Sequence, residues 1–504
     1  MPRYAFDIAP GDAFDPRDLQ AFLQQPEWAG ATLEAGRKPK GAWHATVRWQ
    51  GDVSVGTLFD RARALGEVAG GAAVPLGDPT PPEEAEGAGD GWHRAAARFP
   101  DAGDPTTGAG VVVGHLDTGY TRHPELELTG GRYRIDRGFD LLDDDPDTSA
   151  AEGTRFYAHG TGTSSVLMSG ASASVTPGVW GAAPGATLIP FRVAPSPVIW
   201  KASYRKAVAA GIHAAIAARA QVISISLGWF FGHDDLAAAV EAAEAAGVIV
   251  VAAAGQLNRY IPCPEAVAYP ARYPSVVAVA ASKKGKAPCP WSGHGEDILI
   301  TAPGQDILRA NWKDAEAAVE PSWGTSYATA LTAGSAALWL HKWGASPALQ
   351  DPAARPGLFR AALAESAEPI PSDTRGHWGA GHLDVARLLA LDPATLTPRL
   401  PGARAASPLS DLSKALGDVL PLPAPPGAVR AMLEQSFQIA DLGAFIEAFG
   451  QEVVWQLAAA KPDPVVLRAH LDGALAPTEL RGLIPKAPLI PHPSAALAAL
   501  QRQP

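Results

Sequence analysis

Three residues stand where a nucleophile, a base and an orienting carboxylate would be needed: Ser326, His159 and Asp117. Ser326 follows Gly324-Thr325 and opens an Ala-rich apolar stretch that reads as a buried helix. A serine at a helix N-terminus lies among free backbone N–H groups and the positive dipole end, which favour a developing negative charge. Read alone, the same position suits an N-capping serine. Asp117 ends the apolar run Val111–Leu116 and is followed by the turn residues Thr118-Gly119. It therefore falls at the carboxyl end of a buried strand, where open parallel sheets gather ligands. His159 opens a further helix-like stretch, His159-Gly160-Thr161-Gly162-Thr163. Serine alone is a poor nucleophile. An imidazole titrating at about pH 6.5 takes its proton, and a carboxylate fixes the tautomer and stabilises the imidazolium. The chemistry implied is acyl transfer by Asp, His and Ser in that chain order.

The elements that must hold these residues are legible as alternation. Val111–Leu116, Thr187–Val193, Val222–Ile225, Val248–Ala252 and Val276–Ala280 are short apolar runs suited to strands buried on both faces. Helix-like stretches such as Lys201–Ala220 and Leu236–Ala246 lie between them. The pattern predicts an α/β domain over 92–392, a parallel sheet with helices on both faces. Upstream, residues 1–78 read as β-α-β-β-α-β, a ferredoxin-like order, with Asp15 capping the first helix. A Pro-, Gly- and acid-rich linker over 79–91 follows and offers an exposed cleavage site. Downstream, 393–427 reads as a Pro/Ala-rich linker. Residues 428–490 read as a small all-α bundle, with blocks at Ala428–Gln435, Asp441–Phe449, Glu452–Ala459, Pro464–Ala474 and Pro477–Ile484.

Across 92–392 the chain resembles the subtilisin-like serine proteases, the subtilases. The resemblance rests on VVVGHLDTGY, HGTGT, GVWGAAPGA, ISLG, VIVVAAAGQ, YPARYPSVVAV, TAPG and GTSYATALTAG, which occur in family order. It implies a serine endopeptidase with Ser326 as nucleophile, His159 as general base and Asp117 as its orienter. It further implies a substrate strand at Ser226-Leu227-Gly228, a pocket wall at Ala253-Ala254-Gly255 and a pocket floor near Ala268, with an apolar preference. Where the family has an oxyanion-hole Asn, this chain has Gln256, which keeps the amide donor on a longer arm; Asn258 is a possible substitute. Ala330 replaces a family proline. By position, 1–78 resembles a family prodomain, and a permanently attached domain shaping substrate access is the other reading. The C-terminal bundle resembles bacterial effector-associated adaptor domains, which implies a protein partner and a regulated conflict or defence effector. Two alternatives stand beside this: a catalytically weak peptide-binding scaffold, and a narrow peptide-maturation protease.

Composition bounds the rest. With 47% hydrophobic and 18% charged residues and a formal net charge of −11, nothing favours nucleic acid or an anionic membrane as partner. No apolar run has spanning length and the first residues lack a secretory h-region, so a cytoplasmic location is expected. The two cysteines, Cys263 and Cys289, are too few for a disulfide framework, and their pairing stays open. The reaction requires no cofactor and no zinc-ligand spacing is visible. The acidic run Asp140–Asp147 could invite Ca²⁺, but a solvated turn is the preferred reading.

Overall fold

A computed structural model describes residues 2–39, 41–77, 91–101, 103–127, 130–170, 179–256, 267–313, 316–373, 376–402, 408–420, 424–460, 490 and 493–501. The N-terminal module comprises β1 (Arg3–Ala9), α1 (Pro16–Phe22), β2 (Thr32–Gly36), β3 (His44–Gln50), α2 (Val55–Val68) and β4 (Ala72–Gly77). Its antiparallel sheet has the order β2-β3-β1-β4, the ferredoxin-like arrangement. Asp15 accepts from the Arg17 N–H and Ser54 from the Thr57 N–H, so both helices start on side-chain caps. Alternation divides β1 between two faces. Phe6 and Ile8 enter the module's own core, while Ala5 and Asp7 look toward the following domain. The linker read at 79–91 lies almost wholly outside the described residues.

The next unit begins with α3 (Trp92–Ala96), β5 (Val112–Asp117), α4 (Pro124–Glu127), β6 (Phe139–Asp140), α5 (His159–Met168) and β7 (Thr187–Arg192). It continues through α6 (Ala202–Ala217), β8 (Val222–Ile225), α7 (Asp234–Ala245), β9 (Ile249–Ala253), β10 (Val277–Ser282) and β11 (Ile300–Pro303). A hairpin of β12 (Ile307–Lys313) and β13 (Glu316–Ser322) leads into α8 (Thr325–Trp343), then α9 (Arg355–Ser366) and α10 (Val385–Ala390). The sheet is parallel, in the order β11-β10-β9-β8-β5-β7-β6. The chain places β6 at the edge and β7 between it and β5 on one side, then returns to place β8 on the other side of β5. The carboxyl ends of β5 and β8 thus flank a topological switch point, the crevice of an open α/β sheet. α8 is buried on every side from Thr325 to Leu340, which explains why its sequence shows no polar face.

One consequence of this packing is titratable. His382 is buried between the Ser282 hydroxyl, 2.8 Å from its Nε2, and the Leu383 carbonyl. Burial and the nearby Lys286 ammonium hold its pKa down to about 4. An unfolded histidine binds its proton at about 6.5, so the unfolded chain holds more protons across that window. Stability is then full above pH 6.5 and falls by about 3 kcal/mol as pH drops toward 4. Urea midpoints at pH 7 and pH 4.5 check this: the difference should shrink in His382→Gln.

The C-terminal region departs from the sequence reading in two places. The span 393–427, read as linker, contains α11 (Pro408–Val419). Leu409, Leu412, Ala415 and Leu416 bury one stripe of it, a helical spacing that the surrounding Pro/Ala composition hides. The blocks Asp441–Phe449 and Glu452–Ala459 are one helix, α13 (Leu442–Ala460), which follows α12 (Pro426–Ser436). Gly450, which falls between those blocks, is a close approach: a Cβ there would lie 3.0 Å from the Phe231 ring. Pro464–Ala474 and Pro477–Ile484 lie outside the described residues. A last short helix, α14, spans Ala495–Ala498. Among the described residues, no helix is long and apolar enough to cross a membrane.

These C-terminal helices touch both other units. On the module side, Trp455 meets Phe59 edge to face at 5.7 Å, and Gln451 Nε2 donates to the Pro75 carbonyl of β4 at 3.1 Å. On the other side, fully buried Arg205 holds Glu447 through two bonds of 2.5 and 2.6 Å. Asp411 accepts from the Tyr269 hydroxyl at 2.6 Å and the Gly232 N–H at 2.9 Å. One apolar core runs through all three units.

Candidate active site

β5 delivers Asp117 and α5 delivers His159, with the imidazole Nδ1 2.6 Å from Asp117 Oδ1. α8 delivers Ser326, whose Oγ lies 3.1 Å from His159 Nε2. Asp117 Oδ1 also accepts the Thr118 N–H at 2.7 Å, and its Oδ2 accepts the Thr163 hydroxyl at 3.0 Å. Burial pushes this carboxyl up, but the His159 and His115 imidazoles and the hydrogen bonds from His159 and Thr118 outweigh it. The net direction is down. Asp117 is an anion at neutral pH, and His159 Nδ1 carries the hydrogen that it accepts. Nε2 is then left to accept from Ser326.

The serine's own segment is held from several sides. The Ser226 hydroxyl donates to the Ser326 carbonyl at 3.0 Å, and the Gly255 N–H donates to Thr325 Oγ1 at 3.2 Å. Gln256 uses its Oε1 to accept the Thr325 N–H at 3.0 Å. That bond fixes which end of the amide is which, so Nε2 is the end left to donate. Gly324 sits at φ +153°, and a Cβ on it would come 3.0 Å from Gln256 Oε1. The second N–H of a helix has no acceptor within the helix, so the Ser326 N–H is a free donor by position. Asn258 lies outside the described residues.

His159, Gln256, Thr325 and Ser326 border a cavity of about 420 Å³, which also meets Ser226, Leu227, Gly228, Ala253, Gly255 and Ala268. A Cβ on Gly228 would approach the Ala268 methyl to 2.7 Å, so glycine there lets the wall close on the floor. Ala254 is a correction to the sequence reading. It is fully buried in the core rather than on the cavity, because alternation along the extended chain turns it away from Ala253 and Gly255. The opposite side of the cavity belongs to the N-terminal module: Ala5, Asp7, Thr46, Arg48, Leu76 and Gly77. Asp7 accepts from Trp200 Nε1 at 2.8 Å and lies 2.9 Å from His44 Nε2, which joins the module to the loop before α6.

The acidic run Asp140–Asp147 is a turn that is only partly solvated: Asp144 and Asp147 are exposed, while the Asp140 and Asp143 carboxylates are buried against cations of the chain. Lys38 of the module, 3% exposed, places its ammonium 2.7 Å from Asp140 Oδ2 and 3.2 Å from Asp145 Oδ1, and bonds the Asp147 carbonyl. Arg192 takes Asp140 and Asp143 at 2.7 and 2.8 Å. No group of metal-ligating side chains occurs among the described residues. Cys289 is a buried free thiol pushed well up by burial, while Cys263 falls outside the described residues. The sequence reading missed Thr163, His115, Lys38, and the cavity residues Arg309, Asn311 and Tyr327. Only His115 left a signal: two residues before Asp117 on a strand, it must share that residue's face.

Residues 108–381 match the Subtilase family as a whole. The chain belongs to the subtilase family. Membership places it among the serine endopeptidases, a class of hydrolase. Thermitase from Thermoactinomyces vulgaris is 31% identical over 287 residues, covering 57% of this chain and 91% of that one. A thermostable alkaline protease of Halalkalibacterium halodurans is 33% identical over 231 residues, 46% of this chain and 57% of the relative. This subtilase therefore spans little more than half the length of the second relative. A protease from Pseudoalteromonas arctica aligns in structure with a TM-score of 0.48 at 24% identity, over 60% of this chain and 96% of that one.

Proposed function

We propose that this subtilase cleaves peptide bonds with Ser326, His159 and Asp117, and that its N-terminal module holds it latent. The observation that carries the reading is the bonded line Ser326–His159–Asp117, 3.1 and 2.6 Å, at the edge of a substrate-sized cavity. Ser326 Oγ attacks the carbonyl carbon of a peptide laid along Ser226-Leu227-Gly228, and His159 Nε2 takes its proton. The oxyanion forms beside the Ser326 N–H at the start of α8, with the Gln256 amide as second donor. Collapse breaks the C–N bond, and the amine leaves with the proton from His159. Water, deprotonated by the same imidazole, then hydrolyses the acyl ester. Small residues at Gly228, Gly255 and Ala268 favour an apolar side chain before the scissile bond.

Latency follows from placement. The module's sheet and its last strand line the catalytic cavity, and the C-terminal helices grip both that strand and the peptidase unit. In our reading they clamp the module in place, and a protein partner that engages them would release it. This assigns the adaptor-like region a role within the chain as well as outside it.

Intact mass after a fluorophosphonate probe tests the proposal on wild type, Ser326→Ala and Lys38→Ala chains. A single adduct on the chains that keep Ser326, and none on Ser326→Ala, is expected. No adduct on either wild type or Lys38→Ala would overturn it and leave the peptide-binding scaffold.

A further inference from the structure

β5 places His115 and Asp117 on one face, and α5 lies across that face. His115 is 2% exposed. Its Nε2 is 3.0 Å from Thr163 Oγ1, and its Nδ1 is 3.4 Å from the Ser164 hydroxyl. The Thr163 hydroxyl has one proton and three acceptors in reach: Asp117 Oδ2 at 3.0 Å, the His159 carbonyl at 3.2 Å and the Gly160 carbonyl at 3.2 Å. A threonine inside a helix commonly turns that proton to the carbonyl four residues back, here His159.

We infer that His115 is a positioning residue for the reaction, aligning the Thr163 hydroxyl so that its proton goes to Asp117. The hydrogen-bond logic is closed. Ser164 donates to His115 Nδ1, His115 Nε2–H donates to Thr163, Thr163 donates to Asp117 Oδ2, and Asp117 Oδ1 receives His159 Nδ1–H. A hydroxyl that accepts a hydrogen bond becomes a better donor, and chains of such bonds polarise one another. The neutral imidazole is the form that fits, since Nδ1 must accept. Burial keeps His115 neutral, pulling its pKa below the usual range, with Asp117 opposing and His159 adding to the fall. Among the described residues, the other titratable group on this side is Tyr133, whose hydroxyl lies 3.4 Å from Ser164 Oγ and whose phenol burial keeps protonated. The register neighbours of His115 on β7 and β8, Pro190 and Ser224, do not titrate.

The inference rests on the triad acting as proposed, and its test separates the two. The second-order rate of Ser326 phosphonylation by a fluorophosphonate is measured against pH for wild type, His115→Leu, His115→Gln and Thr163→Val. In His115→Leu the Thr163 proton returns to the helix carbonyls and Asp117 loses a bond. The expected result is a fall of about ten-fold in rate, because the carboxylate no longer holds the His159 ring in line with Ser326. The less satisfied carboxylate holds the His159 imidazolium more tightly, so the acid limb moves up by about half a pH unit. Thr163→Val, which lacks the hydroxyl, shows the same shift. His115→Gln, whose amide N–H reaches the same place, recovers rate and limb to near wild type. Equal loss in Leu and Gln variants with an unmoved acid limb would mean packing alone and overturn the inference. An indifferent His115→Leu rate would overturn it too, whereas an absence of labelling in both the wild type and the Lys38→Ala chain would overturn the triad reading and this one with it.

Discussion

A Ser326→Ala chain is expected to turn over a peptide anilide about 10⁶-fold more slowly than wild type, with KM little changed. The size follows from what the hydroxyl does rather than from what it binds. On the proposed mechanism its removal deletes the nucleophile and leaves the peptide-binding strand Ser226-Leu227-Gly228 intact, so the loss falls on kcat. His159→Ala should cost as much, because Ser326 Oγ then has no base at 3.1 Å to take its proton. Asp117→Ala should cost less, about 10⁴-fold. The imidazole can still accept, but nothing selects the Nδ1–H tautomer or stabilises the imidazolium. The decisive measurement is the double variant. Ser326→Ala with His159→Ala should be no slower than either alone, because the two act as one unit. Additive losses would show that the residual activity has another origin and would remove the triad from the mechanism.

The fold was legible where local chemistry repeats and illegible where partners are remote. Buried parallel strands leave unbroken apolar runs, so β5, β7, β8, β9 and β10 were each readable to within a residue or two. The short edge strand β6 and the β12–β13 hairpin have no such run and went unread. The N-terminal module announced itself through its β-α-β-β-α-β order and through Asp15, the cap of its first helix, whereas the Ser54 cap of α2 emerged only from the fold. Gly450 shows the limit of that approach: it falls between two blocks read as separate, but one helix runs through it and the Phe231 ring needs the space. Residues Ser326, His159 and Asp117 stood out because small residues flank each of them, a cost in chain entropy that a purely structural position would not need. Gln256 is different. Sequence gives an amide of the right type, while the bond to the Thr325 N–H that orients it belongs to the fold. The acidic run is the plainest case. Its carboxylates are clustered in sequence, but the ammonium that faces Asp140 comes from 102 positions upstream, so no local pattern points to it.

That remote lysine carries the second large effect. Lys38→Ala should raise the intact chain's kcat/KM on a small peptide substrate by about 10² to 10³-fold. Asp140 and Asp143 are 0% and 6% exposed, and without Lys38 the cation left on both of them among the described residues is Arg192 while the module is docked. Breaking a buried ion cluster by removing one partner costs about 3–5 kcal/mol, and each 1.4 kcal/mol is a factor of ten. The cost applies only to the docked state, since undocking returns the carboxylates to water whether or not Lys38 is present. The substitution therefore shifts the equilibrium toward an open cleft without touching any residue that borders the cavity. Trp455→Ala tests the same equilibrium from the C-terminal side. It deletes the ring packed on Phe59 of α2, a large-to-small change worth about 3–5 kcal/mol. If the helices clamp the module, both substitutions raise activity and speed fluorophosphonate labelling of Ser326, though neither alters a cavity residue. If activity rises with Lys38→Ala alone, the C-terminal helices are passengers on the module. If neither variant moves it, the module is a fixed wall of the substrate cleft. Asp7, Thr46 and Arg48 would then be read as substrate contacts, and latency would be withdrawn.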